Sequence, residues 1–193
     1  MKFFVYDLET TGFYWWRHAI HQIAGYIVED GEVIDVIDIH MRPFDGADIE
    51  QEALDRCGVT LEQLQSYQPS EKAFKEFIGR LCEHVNRWDK ADKLYLVGFN
   101  NNKFDNSFLH RWFEREKCSG FAGYFWGNSL DTMVLATRAL IKQRAEMPSF
   151  KLHRVAKTLG IEVDDTKTHD ALYDAGITLE IFKKVDNELF EGR

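Results

Sequence analysis

Asp7 and Glu9 close the apolar run Phe3-Phe4-Val5-Tyr6, two residues apart, and are the side chains of this sequence best placed for chemistry. Side chains alternate across a strand, so both carboxylates project to the same face. Two adjacent anions repel, and stripping them of water is costly unless a positive charge sits between them. A divalent cation fills that role, because hard cations take carboxylate oxygens as ligands. A solvated strand end entering a Thr-Gly turn would carry the same two residues, but the run before them has the pattern of a buried strand.

Further acids stand in suitable places. Asn101-Asn102-Lys103-Phe104-Asp105 follows a second strand-like run, Leu94-Tyr95-Leu96-Val97-Gly98-Phe99, and His169-Asp170-Ala171-Leu172-Tyr173-Asp174 lies near the C-terminus. Taken in order, Asp-x-Glu-Thr-Thr-Gly, Asn-x-x-x-Asp and His-x-x-x-x-Asp resemble the DEDDh 3′→5′ exonucleases. That family includes the proofreading subunit of bacterial replicative polymerases, ribonuclease T and oligoribonuclease. The resemblance extends to residues 49–54 with the turn Cys57-Gly58-Val59-Thr60, to Leu130-Asp131-Thr132 and to residues 151–156. One departure is Gln22, where many relatives carry a glutamate; it bears on a contact behind the site, not on the metal ligands.

The resemblance implies a site of Asp7, Glu9, Asp105, His169 and Asp174 that holds two divalent cations. Asp7 would bridge both ions, Glu9 and Asp174 would complete the shell of the ion that activates water, and Asp105 would act from the opposite side. Two such ions clamp the attacking and leaving oxygens of an in-line displacement. An all-oxygen set with one nearby imidazole suits Mg²⁺ or Mn²⁺. His169 would be the general base, since an unperturbed imidazole titrates near neutrality. Five residues of helix turn through roughly 500°, so His169 and Asp174 cannot share a helix face; His169 is expected in a loop or at a helix start, with Asp174 one turn in. Asp170 then stands where an N-cap is wanted. Asp131 reads first as a helix cap, with a contact behind the site as the alternative.

Substrate contacts are expected from the turn Thr10, Thr11 and Gly12, where a glycine lets the backbone approach a terminal nucleotide. Phe13 occupies the position of an apolar wedge between bases in relatives, and Asn101 is a candidate backbone or sugar contact. The run Phe13-Tyr14-Trp15-Trp16 either stacks on unpaired bases, at about 1–3 kcal/mol each, or plugs the edge of the core. A second aromatic cluster at residues 121–126 reads as packing, with a dimer contact left open. Lys103, Lys151 and Arg154 would steer phosphates or simply face solvent.

The elements that must position these groups can be outlined. Residues 3–7, 20–29 and 32–40 read as a meander, with Asp30-Gly31 as a hairpin turn. Helices follow at about 49–57, from 61 and from 70, the last with Phe74, Phe77, Ile78, Leu81, Cys82 and Val85 at helical spacing. Residues 93–99 return to strand. Helices are expected at 106–117, 131–144, 152–159 and 171–189, with Pro148 breaking the chain. This predicts an α/β protein with a mixed sheet, a three-stranded antiparallel meander plus parallel strands, flanked by helices. In the family resembled, this is the ribonuclease H-like fold. With 193 residues and no linker or repeat, residues 1–193 are expected to form a single exonuclease domain.

Bulk properties limit the classes. No run approaches the roughly 20 apolar residues of a membrane span, and the apolar stretch at residues 3–6 is too short for a signal peptide. Three cysteines (Cys57, Cys82, Cys118) without Cys-x-x-Cys spacing indicate neither a disulfide framework nor a zinc site. A cytoplasmic location is expected. The net charge of −8 is unevenly spread: residues 103–157 carry ten Lys/Arg against five Asp/Glu, leaving −13 for the remainder. That polarity suits a basic groove wall beside an acidic centre, although acids on an exposed helix at residues 50–62 would contribute equally.

The expected function is Mg²⁺- or Mn²⁺-dependent 3′→5′ exonucleolysis of single-stranded ends, releasing nucleoside 5′-monophosphates. DNA is favoured over RNA, with exoribonuclease trimming as the near alternative. A small-molecule phosphodiesterase, or a nucleic-acid-binding or replisome-associated module without turnover, are the readings from other classes. A homodimer is left open, and a polymerase partner is open but not indicated, because little chain follows the closing helix.

Overall fold

The computed structural model describes residues 1–186. Its centre is a five-stranded sheet of order β3-β2-β1-β4-β5. The meander is formed by β1 (Lys2–Thr10), β2 (Ile20–Glu29) and β3 (Glu32–His40), antiparallel throughout. Helices α1 (Gln51–Cys57), α2 (Leu61–Ser66) and α3 (Ser70–His84) then lead to β4 (Tyr95–Gly98), which pairs parallel with β1. Helices α4 (Asp105–Arg115) and α5 (Phe121–Tyr124) precede β5 (Leu130–Asp131), parallel to β4. The chain finishes with α6 (Thr132–Ala139), a 3-10 turn at Arg144–Glu146, α7 (Leu152–Thr158) and α8 (Ala171–Val185). The end of the expected closing helix, residues 187–189, lies outside the described residues.

Alternation in β1 organises both layers. Phe4, Tyr6 and Leu8 point into a core shared with Phe74, Phe77 and Leu81 of α3 and with Leu109, Trp112 and Phe113 of α4. Phe3 and Val5 point the other way, against Leu179 and Phe182 of α8. Asp7 and Glu9 continue this second row. The same face that packs α8 at one end of β1 therefore presents carboxylates at the other. A smaller core of Ala136, Leu140, Val155, Ile177 and Ile181 joins α6 and α7 to α8.

The structure departs from the sequence reading in local ways. β1 runs on to Thr10, and the pairing of β1 with β2 shifts register between Glu9 and Thr10. The second parallel strand, β5, was not located in the sequence, because two residues are too few to show a period. The helix expected over 131–144 stops at Ala139 and gives way to turn and 3-10 structure. In the aromatic cluster, Tyr124 and Phe125 are fully packed and Phe121 lies against the same core. Among the described residues no helix is long and apolar enough to cross a membrane.

Candidate active site

Three elements bring four carboxylates to a cavity of about 390 Å³ at the C-terminal end of β1. Asp7 and Glu9 arrive on β1, Asp105 is the first residue of α4, and Asp174 lies in the first turn of α8; all four line the cavity together with His169. Asp170 caps α8, its carboxylate accepting the Tyr173 N–H at 2.9 Å. His169 precedes the cap with φ +66°, a left-handed conformation uncommon outside glycine. This kink puts the imidazole on the cavity wall rather than on the helix face carrying Asp174, as the five-residue spacing requires. One ligand atom each from Glu9, His169 and Asp174 lies within 4.8 Å of the others.

The electrostatics are those of an uncompensated acidic cluster. Burial raises the Asp7 carboxyl well above the usual carboxylate range, and Asp105, Glu9, Asp174 and Asp170 add to the effect. Glu9 is pushed up to about 8, by burial first and then by Asp174 and Asp105. Asp105 rises to about 7 through burial, against a hydrogen bond from the Leu8 backbone that lowers it. Burial also raises Asp174, with the neighbouring His153 opposing. His169 is lowered by burial, so its ring favours the neutral form. Among the described residues, no Lys or Arg forms an ion pair with any of the four carboxylates. Arg56, on the cavity wall, pairs instead with Glu52 at 3.3 Å and lies over the Phe13 ring. Four hard oxygen donors with no cation of their own fit divalent metal.

The substrate candidates are placed unevenly. Thr10, Gly12 and Phe13 line the cavity, and Phe13 is 54% exposed. Gly12 is required sterically: a Cβ there would lie 2.4 Å from the His18 ring. Thr11 is fully buried, donating through its hydroxyl to the Asp48 carbonyl at 2.7 Å. Asn101 is likewise fully buried beneath Gly98, and its neighbour Asn100, at φ +64°, reaches the cavity instead. A left-handed residue turns the chain sharply, and this turn tucks Asn101 inside. Asp131 both caps α6, accepting from Met133, and accepts the Asn100 N–H at 2.9 Å, so it braces the cavity rim. Lys103, Lys151 and Arg154 are exposed.

Three contacts were not read from the sequence. His153 of α7 shares a 2.7 Å hydrogen bond between Nε2 and Asp174 Oδ1. Cys57 donates from Sγ to Glu9 Oε2 at 2.8 Å, and burial beside Glu9 raises its thiol pKa. Gln22, opposite Glu9 in the sheet, donates to Asp38 at 3.0 Å and accepts from the Ala171 N–H at 3.4 Å, tying β2 to the start of α8. All three lie in or beside segments that carry the family resemblance, but the contacts themselves had no local signal: the partners of His153 and Cys57 lie 21 and 48 residues away.

Comparison with known proteins gives a consistent picture. A model of the exonuclease family matches residues 4–182. Ribonuclease T of Vibrio vulnificus is 29% identical over 95% of this chain and 83% of its own length. Ribonuclease T of Shewanella denitrificans is 30% identical, with 95% and 79% covered. Among solved structures, the zinc-bound E. coli exonuclease I complex with single-stranded DNA superposes with a TM-score of 0.76 at 24% identity, over 98% of this chain. The chain spans only 42% of that protein, so this likeness supports the ribonuclease H-like fold and nothing finer. The motifs, the mixed sheet and a family match over nearly the whole length agree: the chain belongs to the exonuclease family, as a 3′→5′ enzyme of the DEDDh type.

Proposed function

We propose that this exonuclease removes nucleoside 5′-monophosphates from the 3′ end of single-stranded DNA. The observation that carries the reading is the convergence of Asp7, Glu9, Asp105 and Asp174 on one cavity with no Lys or Arg paired to them among the described residues. These four would hold two divalent cations, Mg²⁺ or Mn²⁺. When bound, the cations would supply Lewis-acid activation of water and charge relief on the phosphate and leaving oxygen.

The chain's own groups provide the rest. His169, neutral at pH 7, takes the proton of the attacking water as its oxygen bonds to phosphorus. The bond to the 3′ oxygen of the preceding nucleotide breaks, that oxygen gains a proton, and the terminal nucleotide leaves as a 5′-monophosphate. Phe13, exposed at the cavity mouth under Arg56, offers a face to the terminal bases. His153 holds Oδ1 of Asp174, which orients that carboxylate. Residues 1–193 act in this reading as one exonuclease domain.

RNA is the second reading, and the curated relatives named ribonuclease T favour it. Digestion of matched 5′-labelled single-stranded DNA and RNA with Mg²⁺, Mn²⁺ or EDTA decides between them. A ladder shortening from the 3′ end, dependent on metal and lost in Asp7→Asn and His169→Ala, is expected, with DNA the faster substrate. A faster RNA ladder would reverse the substrate assignment. Absence of turnover on both would overturn the proposal.

A further inference from the structure

We infer that the face of α4 beyond the active site, walled by Trp15, is a second subsite that holds the 5′-ward bases of a single-stranded nucleic acid whose 3′ end lies in the active site. This rests on the exonuclease reading above and extends it to the length of strand gripped.

Phe13, Tyr14, Trp15 and Trp16 are 54, 46, 40 and 54% exposed, an unusual concentration of aromatic surface in four residues. The rings do not plug the core. They stand on a braced loop, where the His18 ring accepts the Tyr14 N–H at 3.0 Å and Arg115 donates to the Trp16 carbonyl at 3.1 Å. Tyr14 and Trp16 lie 4.9 Å apart, and Trp15 meets Trp16 edge-on at 5.4 Å. Such faces stack on any unpaired base.

Trp15 also walls a second cavity, of about 340 Å³, whose other side is α4 and the residues before it, with Asn102, Asn106, Ser107, His110 and Arg111. Of that lining, the Asn106 amide is spent on Tyr6, Asn102 and Ser129, and the His110 ring stacks on Phe121. This leaves the Asn102 amide nitrogen, the Ser107 hydroxyl and the Arg111 guanidinium to face a ligand, with Glu114 as the acid of the lining. Arg111 bonds Glu114 through Nη1 at 2.8 Å while its Nε is buried without a partner. A stacking wall opposite hydrogen-bonding groups and an arginine is the chemistry of base and phosphate binding. The segment supplying this wall is also the basic part of an otherwise acidic chain.

The two cavities are continuous in the chain. The loop that gives Phe13 to the active site gives Trp15 to the second cavity, and the helix that begins with Asp105 in the first carries Arg111 in the second. Six residues of helix advance about 9 Å. A stacked strand at roughly 3.4 Å per nucleotide covers that distance in two to three nucleotides.

The test measures kcat/KM on 5′-labelled strands of two, three, four, six and twelve nucleotides for the wild type, Trp15→Ala, Trp15→Phe and Arg111→Ala. It also measures quenching of tryptophan fluorescence by the same strands in EDTA. The wild type is expected to gain with length up to four to six nucleotides and then level off. Trp15→Ala should cut the advantage of the twelve-mer over the dinucleotide about tenfold, Trp15→Phe should restore most of it, and Arg111→Ala should lower the salt dependence of twelve-mer binding by about one charge. A loss equal at every length, or no loss, overturns the subsite. Wild-type protein that hydrolyses no strand overturns the exonuclease reading instead. In that event a length-dependent binding midpoint, read from quenching of the remaining tryptophans and raised by Trp15→Ala, would still sustain the subsite.

Discussion

Replacing Glu9 with glutamine should make the metal-free protein more stable while abolishing activity. The folded metal-free protein holds the Glu9 carboxyl near pKa 8, against an ordinary 4.5 in the unfolded chain. A carboxyl raised in this way favours the folded state below pH 4.5, and that contribution is lost as pH rises to 8. At pH 7 the gap corresponds to about 3 kcal/mol, at 1.36 kcal/mol per pH unit. Glutamine removes the titration and keeps an acceptor for the Cys57 thiol. For a protein of this size, about 3 kcal/mol is roughly 6–12 °C in melting temperature. The assay is thermal unfolding by circular dichroism at pH 5, 6.5 and 8, in EDTA and in Mn²⁺. Wild-type stability in EDTA should fall across this range and recover with Mn²⁺, most at pH 8. The variant should lose less stability across this range than the wild type, the remaining slope coming from Asp7, Asp105 and Asp174, and should gain less from metal. A variant less stable than wild type in EDTA at pH 8, or a wild type indifferent to pH, would refute the reasoning.

Other outcomes follow from single contacts. His153→Ala should raise the Mn²⁺ concentration needed for half-maximal activity about 10–100-fold, as loss of a partner to a metal-binding carboxylate typically does; His153→Gln, which keeps a donor, should recover part of it in the same titration. Gly12→Ala forces a methyl into the His18 ring and should cost about 1–3 kcal/mol in urea unfolding. Maleimide should label exposed Cys82 well before Cys57, whose thiol is held protonated beside Glu9; peptide mapping of a time course checks the order.

Much of this molecule is legible because its key residues sit in elements with strong local signals. The alternation in residues 3–9 placed Asp7 and Glu9 on one face, and the His169–Asp174 spacing foretold a kink before the closing helix. The structure shows that kink as a left-handed His169. What was not legible depends on contacts distant in sequence or too short to have a period. β5 is two residues long, and the stop of α6 at Ala139 has no Gly or Pro to announce it. Asn101 resembles a surface contact in sequence and is buried because Asn100 turns the chain. His153 reaches Asp174 only once α7 packs on α8.

Because Phe3, Val5, Asp7 and Glu9 form one row of β1, the strand carries its own proofreading of register. A slip of one residue would drive both carboxylates into the aromatic core under α3 and α4 and turn Phe4 and Tyr6 toward α8. A one-residue misalignment cannot keep both the core and the site. Turnover in this enzyme therefore reports on which face of β1 each residue lies as well as on folding. Chain-length changes in the loop between β1 and β2 should spare the sheet and disturb the contacts of Phe13 and Trp15, whereas inside β1 they should lose sheet and site together.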